Sequence, residues 1–107
     1  MTLSWIYLMS AGLLEIGWPV GLKMAQVEGQ RVVGVIVALM FMFGSGYLLW
    51  LAQREIPMGT SYAVWTGIGA AGTFLFGILF YGDAASLGRF FGVGLILAGV
   101  VTLKLTH

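Results

Sequence analysis

The sequence predicts an all-α membrane protein with four transmembrane helices. Three observations carry that prediction. Of the 107 residues, 60% are hydrophobic and 8% are charged, whereas a soluble domain carries roughly 25% charged residues. No soluble fold of this size can hide so much apolar surface, so the solvent must be lipid. The apolar residues also fall into four runs, each near the about 20 residues that a helix needs to cross a bilayer. Finally, the runs do not alternate, whereas a membrane strand needs only about 10 residues with a period of two. A single domain over residues 1–107 follows, with helices at about 4–24, 32–52, 58–81 and 86–103.

The first run, from Ser4 to Met24, carries an acid in its middle and Lys23 at its end, where the ammonium can snorkel to the headgroups. It lacks the positive n-region of a signal peptide and is followed by three further runs, so it reads as a retained span. The polar AQVEGQR of Ala25–Arg31 leads to a second span without charge, Val32 to Ala52. QREIP, Gln53–Pro57, is a tight turn, and Pro57 suits the start of the next helix. The third span, Met58 to Tyr81, contains the glycine-rich TGIGAAG. The loop Gly82–Arg89 offers Ser86 as a cap for the fourth span, after which Lys104 and His107 reach the interface. Connections this short make neighbouring helices antiparallel. Arg54 and Lys104 then share one side, and Lys23, Arg31 and Arg89 the other. The positive-inside rule finds almost no bias in that distribution.

Glu15 is the residue around which the chain is organised. A charged side chain at bilayer depth costs about 2.5–3.5 kcal/mol on insertion scales, so it is kept only when paired, protonated or used. Gly12, Glu15, Trp18 and Pro19 share a helical face with Leu8 and Leu22. Gly12 leaves room beside the acid for a ligand or a second helix. Trp18 offers an N–H and an aromatic face to a cation. Pro19 removes the hydrogen bond to the Glu15 carbonyl, so the helix should bend there. On the third span, Tyr62 and Trp65 are three residues apart, and Thr66 and Gly69 continue that side. Their polar tips need partners in lipid, and Glu15 is the expected one. Gly67, Gly69 and Gly72 suggest a hinge, since glycine weakens a helix. Ser45 either bonds back to its own helix or orients the carboxylate.

Other chemistry is excluded or unsupported. There is no cysteine, hence no disulfide framework and no thiolate site. A net charge of +1 is too small for a nucleic-acid surface. Asp83 and Glu55 lie in loops away from the one histidine, His107, so no catalytic constellation, metal site or cofactor motif is expected. Four helices fill their own centre, and a cation pathway needs more walls, which points to an oligomer. Gly88, Gly92 and Gly99 form a stripe on the fourth span that suits close helix contact in lipid. These features leave three classes open: an exporter, a cation channel and a structural membrane subunit.

The chain resembles the small multidrug resistance family of bacterial inner-membrane exporters over essentially its whole length. The resemblance is carried by AGLLE (Ala11–Glu15), GLK (Gly21–Lys23), IPMGTSYAVWTGIGA (Ile56–Ala70) and the closing GLILAGVVTLKL. Trp18, Trp65 with Thr66, and the end of the chain are most similar to the guanidinium exporter branch. The resemblance implies an antiparallel homodimer of dual-topology subunits, joined through Gly92 and Gly99 of the fourth helices. It implies that Glu15 of both subunits binds substrate and protons alternately, with Gly12, Trp18, Ser45, Tyr62 and Trp65 lining the site. The implied function is proton-coupled antiport of guanidinium. A planar guanidinium matches a carboxylate with two parallel hydrogen bonds. A quaternary ammonium would need an aromatic cage instead, and its export is the alternative. The run Gly17-Trp18-Pro19, Gly46, Trp50 and the Gly82–Arg89 loop depart from the family's usual pattern, and some members work as unlike pairs.

Overall fold

The computed structural model describes residues 2–106; His107, expected at the interface, lies outside them. Five helical segments follow one another: α1 (Thr2–Glu15), α2 (Gly17–Met24), α3 (Arg31–Ala52), α4 (Met58–Tyr81) and α5 (Leu87–Thr106). With α1 and α2 taken as one run, Thr2–Met24, the described residues contain four helices long and apolar enough to cross a membrane.

The first run is interrupted. Regular helix stops at Glu15 and resumes at Gly17, with Ile16 between them still at helical angles, φ −59° and ψ −34°, so the ladder is loosened there, between the acid and Pro19. Around it the ladder is tight or stretched: Ile16 N–H donates to Leu13 O at 3.3 Å and Val20 N–H to Ile16 O at 3.4 Å, beyond the usual about 2.9–3.0 Å. Pro19 has no N–H for the Glu15 carbonyl, and proline is a usual cause of such a disturbance.

The other ends are set by local chemistry. Pro57 stands just before α4 (φ −54°, ψ 145°) and its carbonyl accepts from Ser61 N–H at 2.9 Å, so it is the capping residue rather than the first helical one. Gly82, at φ +68°, closes α4 with a left-handed turn that few residues other than glycine adopt. Ser86 caps α5: its Oγ accepts from Arg89 N–H at 3.3 Å, as an N-cap serine does. The last helix runs to Thr106, three residues past the expected end at Leu103.

The helices form a slab whose Cα atoms span 45 × 34 × 17 Å. The α1–α2 unit is its centre, with α3 on one side and α4 on the other, and α5 lies along the outer face of α4. The core cluster joins Trp5 and Leu8 of α1, Ala52, Ile56 of the tight turn, and Val64 of α4. At that same end the Ser4 hydroxyl donates to the Glu55 carboxylate and holds its pKa below the ordinary value. Lys104 lies 5.3 Å over the Trp5 ring. These contacts tie α1, the tight turn and α5 together at this end of the subunit. No residue of α5 is buried.

The α2–α3 contact is set by two glycines. A Cβ on Gly21 would lie 2.7 Å from the Ala38 Cα, and one on Gly34 would lie 2.6 Å from the Ala25 Cα. Small residues at such points let backbones meet, which replaces the hydrophobic drive that lipid does not supply. Gly21→Leu should therefore lower stability by about 1–3 kcal/mol, the scale of an overpacked core, read as a lower thermal aggregation midpoint in detergent. Gly46→Leu, in the same membrane region but with nothing within 4 Å of its Cβ position, should leave that midpoint unchanged.

Candidate functional site

The site lies on the seam between α1 and α4, which run in the same direction. Down that seam Gly12 meets Ile68, Glu15 meets Gly69 and Ile16 meets Gly72. Glu15 is the last residue of α1, half-buried, with its carboxylate against the Gly69 backbone. A Cβ on Gly69 would collide with Glu15 Oε2, so glycine here makes room for the acid. Pro19, having no N–H, also leaves the Glu15 carbonyl without its helical donor, and so a second oxygen acceptor on the same residue.

One turn above the acid, a buried polar chain links three helices. Trp65 Nε1–H donates to Ser45 Oγ at 2.7 Å, and the Ser45 hydroxyl donates to the Ala11 carbonyl at 2.6 Å. Ser45 is fully buried. Two sequence expectations change here. Ser45 bonds to α1, not back to its own helix, because Gly44 and Gly46 flank it on a helix that faces the Ala11 turn. The Trp65 indole reaches Ser45 rather than Glu15, because Glu15 is level with Gly69, four residues farther along α4. One helical turn, about 5.4 Å, separates the indole from the carboxylate.

The remaining expected residues are spread more widely. The room beside Gly12 is filled by Ile68, whose Cβ would lie 2.8 Å from an added Cβ; the second helix occupies it. The Tyr62 ring packs 5.5 Å from Trp65, tilted at 49°, and is itself 56% exposed. Trp18 stands on α2, beyond Ile16, half-buried. Gly67 seats Val100 of α5, within a continuous α4. Gly88, Gly92 and Gly99 face open space, away from Glu15. Ala11 and Ile68 belong to the site although neither was singled out in the sequence. The signal for Ile68 is the α4 stripe of Trp65, Ile68, Gly69 and Gly72, at helical spacing and matched by Gly12, Glu15 and Ile16 on the first run. Among the described residues no three His, Cys, Asp or Glu side chains stand together.

The arrangement presents an oxygen acceptor pair at membrane depth, glycine on one side and aromatic rings nearby. That chemistry suits a small cation. Comparison with known proteins agrees in kind. Residues 3–96 match the family described as Small Multidrug Resistance protein. A guanidinium exporter from Yersinia pestis is 48% identical over 103 residues, covering 96% of this chain and 98% of that protein. One from Citrobacter freundii is 45% identical over 106 residues, covering 98% and 100%. One from Salmonella typhimurium strain LT2 is 43% identical over 104 residues, covering 97% and 98%. With four spanning helices and likeness along nearly its whole length, this multi-pass membrane protein belongs to the small multidrug resistance family.

Proposed function

We infer that the chain exports guanidinium and related small guanidinyl cations in exchange for protons. It does so as an antiparallel dimer of dual-topology subunits in the bacterial inner membrane. The observation that carries this reading is Glu15, a carboxylate at membrane depth at a helix interruption, in a chain whose end-to-end relatives are named guanidinium exporters. A carboxylate at that depth is stable only when paired or protonated, so cation and proton compete for it. Guanidinium donates two parallel N–H groups to the carboxylate fork, and the Glu15 carbonyl can take another. The Trp65–Ser45–Ala11 chain holds α4 and α3 on the turn above, and so fixes the width of the seam into which the cation must fit. Gly67 and Gly69 let α4 shift against α5 and α1 as the seam opens to each side.

The dimer reading rests on α5. No residue of it is fully buried within the subunit, and Gly88, Gly92 and Gly99 offer a smooth stripe with open space. Such a stripe suits a second copy of the same helix in lipid. The nearly even distribution of Arg and Lys between the two ends suits insertion in both directions.

Three outcomes test this. In proteoliposomes, guanidinium should drive coupled proton movement, and Glu15→Gln should abolish it; movement that survives the substitution overturns the mechanism, and a larger response to a small quaternary ammonium overturns the substrate. Ser45→Ala leaves the Trp65 indole N–H without its partner and should weaken guanidinium transport roughly tenfold, the scale of one unsatisfied buried donor, with Ser45→Thr restoring most of it. Gly92→Leu or Gly99→Leu should lower the yield of cross-linked dimer in membranes while leaving the subunit folded, because neither position has a neighbour within 4 Å.

A further inference from the structure

Below Glu15 the α1–α4 seam widens into a cleft at the end of the molecule opposite the Ser4–Glu55 contact. Pro19, Val20 and Lys23 of α2 form one wall, and Thr73, Phe76, Gly77 and Tyr81 of α4, with Asp83 beyond it, form the other. The cleft begins next to the Ile16–Gly72 contact, one turn from the acid. Its empty volume is about 480 Å³ with the open mouth included, ample for a small planar cation.

The position of Asp83 in this cleft is built by the backbone. After Gly82 turns into the left-handed region, Asp83 N–H donates to the Gly77 carbonyl at 3.1 Å. The chain thus folds back over the end of α4. The carboxylate then rests on Gly77, where an added Cβ would collide with Oδ2. Phe76 and Tyr81 line the same cleft, with ring centroids 6.0 Å apart. A carboxylate and aromatic rings that line one cleft are groups able to recognise a cation. Lys23 supplies the opposite charge on the facing wall.

We propose that this cleft is a second, vestibular cation site, in which Asp83, Phe76 and Tyr81 hold a guanidinium-type cation between Glu15 and the membrane face. Lys23, on the facing wall of the cleft, repels the passenger and keeps its residence there short. The proposal rests on the export reading above and adds to it a specificity-determining acid, Asp83, and a residue that opposes it, Lys23. The site is open to water, so its contribution is small and screened by salt.

The two charges make opposite predictions, which a merely structural ion pair would not. In proteoliposomes that transport guanidinium, Asp83→Asn should raise the KM about three- to fivefold, the scale of one exposed charge pair, with little change in kcat. Lys23→Gln should lower the KM by a similar factor, and both shifts should shrink in high salt. If the two substitutions change KM in the same direction, or a charge swap of the two residues restores wild-type behaviour, the pair is structural and the vestibular site is overturned. Unchanged KM in both variants overturns it too. Guanidinium transport by the unsubstituted protein, measured alongside, reports on the export reading separately.

Discussion

A carboxylate carried into lipid must be met by something other than water, and the packing of this subunit follows from how Glu15 is met. The helix that bears it ends at that residue. The helix opposite has glycine at the matching level, so the acid lies against backbone rather than a side chain. Above it the Gly12–Ile68 contact and the Trp65–Ser45–Ala11 chain hold the seam shut. Below it the walls part toward Lys23 and Asp83. The acid therefore stands where a packed stretch of the seam gives way to an open one.

The seam relies on contact at close quarters because lipid offers little drive for helices to pack. That explains the division of labour among the glycines. Gly21 and Gly34 bring α2 and α3 together by backbone approach, Gly69 makes space for a functional group, and those of α5 touch nothing within the subunit. The 17 glycines thus include residues with quite different uses.

Much of this was legible in the residues themselves. Run length and the scarcity of charge pointed to four spanning helices, and the isolation of Glu15 in an apolar run marked it as the acid to explain. Pro19 announced a disturbed helix beside that acid, although only the structure locates the disturbance at Ile16. What could not be read was which helix stands opposite which. Helical spacing reports the residues that share a face of one helix, so it grouped Tyr62 with Trp65 and Glu15 with Trp18. It could not show that Ser45 faces the Ala11 carbonyl, that the indole of Trp65 would reach that serine before the acid, or that Ile68 would fill the gap at Gly12. Those outcomes depend on the axial offset between helices, which is a property of the packed unit.

The lack of any buried residue on α5 has an evolutionary corollary. A side chain elsewhere in the subunit answers first to the fold that encloses it. Along most of the last helix that obligation is nearly absent, so its substitutions are screened by whatever molecule lies beside it. Two duplicated copies of such a chain can drift apart along that helix without first rebuilding the packing that surrounds the acid.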